Sequence, residues 1–334
     1  MQEERFGDVA RDAIIALTVF RVSNIALFNR TRGIVMRLVN FGPVGIEQPG
    51  VLVDDDTVVP LVPILARAGL RLHDMKDILA LWSTIRTIVE PQLTLERDRI
   101  ALSDVRIGPP ILRPNKVVAI GFNYPQHSTE ILGPSAEVSE PVIFLKPPNC
   151  VSGPNDPVVK PFETTMLDYE IELGVVIGKT GRRISQIDAL DHVAGYVVAN
   201  DITARDIALG AGLDHPLQLQ IARGKGYATF CPLGPWLATA DEVPEPADLR
   251  LTLSINGVVR QDGKTSSMLA SIPELIASVS ASMELEPGDV ILTGTPAGCG
   301  FQLDPPAYLQ HGDRVEAGIT GLGEMTFQVQ NEQV

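Results

Sequence analysis

The stretch Asp168–Ile177, DYEIELGVVI, places two glutamates at the start of a strongly apolar run. The β-branched residues after the second glutamate predict a strand, and side chains two positions apart on a strand share a face. Glu170 and Glu172 should therefore lie side by side. If that face is buried, the carboxylates repel each other and lose hydration, so a cation must compensate them or one must stay protonated. The alternative is a solvated face of a sheet.

The rest of the chain predicts more strand than helix. Short apolar runs bounded by Gly, Pro, Asn or Asp predict strands at residues 117–120, 142–145, 172–177, 193–199, 249–255 and 290–293. Asn256-Gly257 predicts a hairpin, and Ser271 is the expected cap of a helix that extends to Met283. Residues 61–82 have helical apolar spacing. The regular strand–helix alternation of Rossmann and barrel folds is missing, which favours a β-rich fold.

A run of three prolines and one glycine, IGPPILRPNK at residues 107–116, predicts a domain boundary. Residues 36–110 would then form a small N-terminal domain and residues 111–334 a larger one. Met36 begins MRLVNF, which is typical of a first strand. Residues 1–35 are therefore predicted to be an extension, and Met1 need not be the native start.

Composition narrows the class of protein. The 334 residues are 45% hydrophobic and carry a formal net charge of −14, which argues against a nucleic-acid partner. No stretch reaches the roughly 18 uninterrupted apolar residues of a membrane span, and the N-terminus does not resemble a secretory signal. Three cysteines without CxxC spacing are typical of reduced packing residues. We therefore expect a cytoplasmic protein without a membrane or nucleic-acid partner.

Two further groups of residues suggest chemistry. Asp201 follows an apolar strand and could enter a site, although an aspartate there could also cap a helix beginning ITARDI. His127 and Glu130 are three positions apart, which places them on one face of a helical turn. A carboxylate beside an imidazole fixes its tautomer and stabilises the imidazolium, as a general base requires. The alternative is an ordinary surface pair.

From about residue 116 to 325 the sequence resembles the fumarylacetoacetate hydrolase family, in particular its acylpyruvase-like and fumarylpyruvate hydrolase-like enzymes. Seven blocks in the family's order carry the resemblance: GFNYPQHSTE (121–130), PVIFLKPP (141–148), DYEIELGVVIG (168–178), GYVVANDITARD (195–206), RGKGYATFCPLGPW (223–236), INGVVRQ (255–261) and LEPGDVILTGTPAG (285–298). The resemblance implies an α+β, β-rich mixed β-roll with a small N-terminal domain. It also implies a homodimer.

The same resemblance implies a set of site residues. Glu170, Glu172 and Asp201 would hold a divalent cation, Mg²⁺ or Mn²⁺ with Ca²⁺ as a further option, because oxygen ligands favour hard ions. His127 and Glu130 would form the catalytic dyad on a lid. Lys225 matches a family position with a catalytic role. Four further residues match positions that contact substrate or line the pocket: Arg205, Lys146, Tyr124 and Thr295.

The implied activity is hydrolysis of a C–C bond in a 2,4-diketo acid of the acylpyruvate or fumarylpyruvate type, as in aromatic catabolism. Pyruvate or a related 2-oxo acid and a carboxylic acid would be the products. Oxaloacetate decarboxylation, or isomerisation or decarboxylation of a 2-hydroxy-diene dioate, remains an alternative at the same site. A catalytically silent binding protein is a third interpretation. Ala228 and the apolar residues around Ala208 replace polar family residues, which predicts a more apolar acyl group.

Overall fold

The computed structural model describes residues 36–95, 98–133, 140–210 and 218–333, with only the backbone for residues 130–132. The predicted extension, residues 1–35, lies outside the described residues. Within the described ranges strand predominates over helix, and the α+β, β-rich fold is confirmed. No helix in these ranges is long and apolar enough to cross a membrane.

The strands are numbered in chain order: β1 (Arg37–Phe41), β2 (Gln48–Leu52), β3 (Thr57–Pro60), β4 (Ile100–Ala101), β5 (Ile107–Gly108), β6 (Val117–Gly121), β7 (Val142–Lys146), β8 (Val151–Ser152), β9 (Val158–Lys160), β10 (Leu167–Asp168), β11 (Ile171–Ile177), β12 (Val193–Asn200), β13 (Thr203–Ala204), β14 (Cys231–Thr239), β15 (Arg250–Ile255), β16 (Val258–Lys264), β17 (Val290–Leu292), β18 (Arg314–Ile319) and β19 (Gly323–Asn331). The helices are α1 (Leu61–Arg67), α2 (Met75–Ala80), α3 (Trp82–Leu93), α4 (Pro125–Leu132), α5 (Arg205–Leu209), α6 (Ile221–Gly224) and α7 (Ile272–Ser282).

A large mixed sheet runs through the described part of the chain, in the order β4-β3-β2-β1-β14-β12-β11-β17-β6-β7. Strand β5 pairs with β1, and β8 pairs with β14. The strands of residues 36–60 join this sheet through the antiparallel β1–β14 pair. The position of the boundary between the two domains stays a prediction.

The directions of four strands bring their ends to one edge of this sheet. Strand β11 is antiparallel to both β12 and β17, and β17 is parallel to β6. The first residue of β11, Ile171, is paired with Asn200 at the end of β12. The start of β11 therefore lies beside the ends of β12, β17 and β6. The residues that follow those three ends are expected to converge there.

A five-stranded sheet, β16-β15-β18-β19-β9, contributes one buried polar residue to the same edge. The hairpin between β15 and β16 turns at Asn256-Gly257 as predicted, with φ angles of 52° and 79° that suit a type I′ turn. Gln261 on β16 is fully buried, and its Oε1 accepts a hydrogen bond of 3.0 Å from the Ile171 N–H. The second sheet thus fixes the start of β11.

Two helical predictions had different outcomes. Helix α7 is confirmed, because Ser271 and Glu274 form a capping box and Leu275 and Val279 are buried beneath it. Residues 61–82 do not form one helix. Gly69 adopts a φ of +82° after α1, and a new helix begins at Met75 behind the Asp74 cap. Apolar periodicity continues across the break and hides it.

Candidate metal centre and active site

Three acidic side chains meet where β11 starts and β12 ends. Glu170 lies just before β11, Glu172 is its second residue, and Asp201 directly follows β12. The Asp201 N–H donates to the Glu170 carbonyl oxygen at 2.8 Å, which joins the two strand ends. Oxygen atoms of the three carboxylates lie within 4.8 Å of one another. The sequence-predicted group is therefore brought together by strand pairing.

The alternatives for these residues do not fit the structure. Glu170 and Glu172 are only 4% and 1% exposed, so they do not lie on a solvated face. Asp201 is fully buried and does not cap the next helix, because α5 begins at Arg205 behind Ala204.

The three carboxylates suit a hard divalent cation. Burial raises the pKa of Glu172 well above its usual range, and the negative charges of Asp201 and Glu170 add to the effect. One Glu172 oxygen, Oε2, accepts a 2.6 Å hydrogen bond from the Gly294 N–H. Such a crowded acidic group is strained unless a proton or a cation neutralises it. Three buried carboxylates as the donor set fit Mg²⁺, Mn²⁺ or Ca²⁺.

Three cationic side chains surround the carboxylates. The Lys225 ammonium donates to Glu170 Oε2 at 2.9 Å and to Asp201 Oδ2 at 2.6 Å. Lys146 donates to Asp201 Oδ1 at 2.5 Å, and Arg205 pairs with Glu170 Oε1. Burial alone would raise the pKa of Glu170, but the charges of Arg205 and Lys225 outweigh it and hold that pKa below its usual range. Of the two glutamates, Glu170 therefore ionises more readily and Glu172 holds its proton more tightly.

Asp168 is a site residue that the sequence reasoning missed. Its carboxylate accepts hydrogen bonds from Arg205 Nε at 2.9 Å, from the Gly300 N–H at 2.7 Å and from the Phe301 N–H at 3.3 Å. It therefore orients Arg205 and ties the loop after β17 to the start of β11. Asp168 belongs to the DYEIELGVVIG block, but its spacing alone does not distinguish it from a turn residue.

His127 lies on α4 and reaches the same centre. The side chain is 5% exposed, and Nδ1 is 3.8 Å from the Cys299 sulfur. Burial lowers the pKa of the imidazole below its usual value, which favours the neutral ring at pH 7. The side chain of Glu130 lies outside the described residues. The dyad therefore stays a prediction.

A cavity of about 140 Å³ opens between these groups. Its wall combines the catalytic candidates with apolar side chains: Ile120, Gly121, Phe122, His127, Val142, Phe144, Glu170, Glu172, Arg205, Leu209, Ile221, Lys225, Thr295 and Phe301. Of the predicted substrate contacts, Arg205, Thr295 and Lys225 line this cavity. Lys146 lies outside its lining, with its ammonium on Asp201 and on the Ile202 carbonyl at 3.2 Å. Tyr124 also lies outside the lining and is buried.

The residues expected to make the pocket apolar do so only in part. Ala208 is buried close to Gly224, and Ala228 is exposed beside a separate groove. Neither lines the cavity, but Leu209, from the same apolar stretch as Ala208, does. Its apolar wall comes from Val142 and Phe144 on β7, with Leu209 and Ile221 on α5 and α6. Short apolar runs of this kind cannot be distinguished from core by sequence.

Comparisons with known proteins agree with this architecture. The family model described as fumarylacetoacetate (FAA) hydrolase C-terminal matches residues 116–330. A 2,4-didehydro-3-deoxy-L-rhamnonate hydrolase of Sphingomonas sp. is 40% identical over 298 residues, covering 88% of this chain and 96% of the relative.

Solved structures extend the similarity to the fold. A probable 2-hydroxyhepta-2,4-diene-1,7-dioate isomerase from Mycobacterium abscessus is 44% identical, with a TM-score of 0.75 over 90% of this chain and 100% of that one. A maleylpyruvate hydrolase from Sphingobium sp. SYK-6, solved with manganese(II) and pyruvate, is 33% identical, with a TM-score of 0.73 over 89% and 100%. The chain belongs to the fumarylacetoacetate hydrolase family.

Proposed function

We propose that this enzyme hydrolyses a C–C bond in a 2,4-diketo acid of the acylpyruvate type and depends on a divalent cation. One observation carries the proposal: three buried carboxylates and a buried histidine line a single cavity or lie against it, together with two cationic side chains. A cation held by Glu170, Glu172 and Asp201 would polarise the oxygens of a 2-oxo acid and stabilise the negative charge that develops on cleavage.

The charges of the site favour an anionic substrate. Apart from Glu172, the formal charges of the site cancel. The three positive side chains are Lys146, Lys225 and Arg205, and the three negative ones are Asp168, Glu170 and Asp201. Loading a divalent cation while Glu172 loses its proton leaves one excess positive charge. A substrate carboxylate would neutralise it, next to Arg205 and Lys225 in the cavity wall. In a site with little water such contacts are stronger than at the surface.

His127 is the proposed general base. Its burial favours the neutral imidazole, which can accept a proton from a water molecule in the cavity. The hydroxyl then adds to the distal carbonyl carbon, and the bond between that carbon and C3 breaks. C3 takes up a proton, so the products are a carboxylic acid and a 2-oxo acid such as pyruvate. Glu130, three positions on, would orient the imidazole.

The distal acyl group would lie against the apolar part of the wall. Val142, Phe144 and Leu209 offer hydrocarbon or ring surface there. Arg205 and Lys225, the cationic side chains in the described lining, both lie at Glu170, where the carboxylate of the 2-oxo acid would be held. They leave no cation in that lining for a second carboxylate on the acyl group. We therefore expect a neutral, apolar acyl group to be preferred over one that ends in a carboxylate.

Isomerisation is the second candidate, because the structural relative at 44% identity is described as a probable diene-dioate isomerase. Isomerisation and decarboxylation would use the same carboxylates and cations but need no attacking water. The proposal also includes a homodimer in the cytoplasm and a role in aromatic catabolism. The cation would be Mg²⁺ or Mn²⁺. A silent binding protein is disfavoured, since all three proposed metal ligands are present.

Product analysis in ¹⁸O-labelled water tests the proposal. Metal-free enzyme would be given Mn²⁺ and a panel of acylpyruvates, a fumarylpyruvate and oxaloacetate. Hydrolysis predicts equal amounts of 2-oxo acid and carboxylic acid, with one ¹⁸O atom entering the carboxylic acid. Carbon dioxide from oxaloacetate without any cleavage of the diketo acids, or an isomer of unchanged mass, would instead establish the second candidate.

A further inference from the structure

A second group of metal-ligating side chains lies beside the carboxylates and has a different chemistry. His127, Glu170 and Cys299 each offer one ligand atom, and these atoms lie within 4.8 Å of one another. All three side chains are buried. Glu170 is shared with the proposed metal centre, whereas Cys299 lies outside the cavity lining and has no part in the proposed hydrolysis.

The distances are close to those of a tetrahedral metal site. The Cys299 sulfur is 3.8 Å from His127 Nδ1 and 4.0 Å from Glu170 Oε1. A tetrahedral zinc ion, with bonds of about 2.3 Å to sulfur and about 2.0 Å to nitrogen, separates the sulfur from the nitrogen by roughly 3.5 Å. The distance from the Cys299 sulfur to His127 Nδ1 therefore needs to shorten by only a few tenths of an ångström.

The backbone holds the thiol in place. Gly298 has a φ of +104°, and a Cβ there would lie 2.0 Å from the Arg260 carbonyl oxygen. A Cβ on Gly300 would lie 2.2 Å from the Ala307 carbonyl oxygen. These close contacts fix the backbone on both sides of Cys299, and its side chain is fully buried. A ligand fixed in advance loses less conformational entropy when a metal binds.

We propose that His127, Glu170 and Cys299 form an inhibitory site for a borderline or soft divalent cation such as Zn²⁺. Thiolate and imidazole select Zn²⁺ over Mg²⁺, whose preferred ligands are oxygen atoms. On binding, the thiol releases its proton to solvent, and the thiolate and carboxylate together neutralise the ion. Because His127 and Glu170 line the cavity, the fourth ligand would be a water molecule or a substrate atom there.

Binding would change two neighbours. Zn²⁺ displaces Arg205 from Glu170 Oε1, while the bond from Arg205 Nε to Asp168 can remain. Zn²⁺ also occupies a ring nitrogen of His127 and so prevents that nitrogen from accepting a proton. The inhibitory effect rests on the proposed function of His127, whereas the binding of the metal does not.

Cobalt(II) tests binding without any assay of activity. Added to metal-free protein, Co²⁺ bound by Cys299 gives a thiolate-to-cobalt absorption band in the near ultraviolet, and Zn²⁺ removes it. The Cys299→Val variant, similar in size but without a ligand atom, is expected to lack the band. Cys150→Val, which changes another buried cysteine, is expected to keep it.

Inhibition forms the second part of the test. Cys299→Val should keep Mn²⁺-supported turnover within about threefold of wild type, while the Zn²⁺ concentration for half-inhibition rises about tenfold or more. Wild-type protein without a thiolate band would refute the site, whether or not the variant folds. Equal inhibition of variant and wild type would place the inhibitory ion on the carboxylates instead. A band that depends on Cys299 in a protein without hydrolase activity would leave the site standing and refute the proposed function.

Discussion

Two arginines in this protein donate through the same nitrogens, Nε and Nη2, to carboxylates in opposite surroundings. On the five-stranded sheet, Arg250 donates to both oxygens of Asp262 at 2.8 and 2.6 Å, and the two side chains are 58% and 48% exposed. At the edge of the large sheet, Arg205 pairs with Glu170 and Asp168, and the Arg205 side chain is 9% exposed. The two groups differ in their exposure to solvent.

This contrast helps to separate ion pairs that serve a function from those on the surface. Water and salt screen the exposed pair, so it contributes little to the free energy of unfolding. The buried group loses hydration, and apolar residues of similar volume are often equally stable or more so. Two neighbouring residues of β16 also differ in exposure, because Gln261 is buried at the site and Asp262 faces solvent. Buried charge is therefore the better guide to function.

Removing a buried carboxylate should have the largest effect. Glu170→Ala removes one proposed metal ligand and the partner of both Arg205 and Lys225. We expect a loss of at least about 10³-fold in turnover together with much weaker Mn²⁺ binding. Equilibrium dialysis and steady-state kinetics measure the two quantities. Retention of full Mn²⁺ affinity would exclude Glu170 from the metal centre.

Removing the proposed base should separate chemistry from metal binding. His127→Ala is expected to lower kcat by about 10²–10⁴-fold, the usual contribution of a general base. Mn²⁺ affinity should stay within about threefold, because His127 is not a ligand of the carboxylate group. If turnover persists in this variant, another group activates the water.

The raised pKa of Glu172 predicts a pH dependence of metal binding. Below its raised pKa the carboxyl of the metal-free site keeps its proton, and the cation requires the carboxylate, so binding there releases a proton. Affinity should therefore increase as pH rises, by up to about tenfold per pH unit below that pKa, and level off above it. Calorimetry in buffers of different ionisation enthalpy counts the released proton. Glu172→Gln should abolish the release.

The exposed pair should show the smallest effect. Asp262→Ala removes the partner of Arg250 but is screened by water, so we expect turnover and Mn²⁺ affinity to match wild type. The melting temperature should move by no more than about 2 °C. This variant is the matched control for Glu170→Ala. A large loss of activity in Asp262→Ala would mean that exposure does not distinguish ion pairs without a function from those of the active site.

Much of the fold around the site could be predicted from the sequence. Apolar runs bounded by turn residues predicted the strands around the site, and the pairing of β11 with β12 then brings Glu170 and Asp201 together. Asp168 escaped notice, because its role depends on N–H groups more than 130 residues away in the chain. Cys299 was interpreted as packing, since sequence gives no sign that His127 lies beside it.

The cavity wall was the least predictable part. The apolar side chains of β7 read as ordinary strand core, and only the end position of that strand in the sheet leaves Val142 and Leu145 partly exposed. Of the positions that differ from the family, Ala208 and Ala228 lie outside the cavity wall, and only Leu209 of the stretch around Ala208 lines it. Which side chains face a cavity is decided by packing between α5, α6 and β7, and no local pattern encodes it.

A Mn²⁺ titration of metal-free wild-type protein tests the central claim most directly. Bound metal, followed by electron paramagnetic resonance, and turnover of an acylpyruvate would be measured in the same samples. We expect one tightly bound Mn²⁺ per chain, no turnover without it, and turnover that rises in proportion to occupancy. Full turnover in the metal-free protein would exclude a catalytic role for a cation at the three carboxylates.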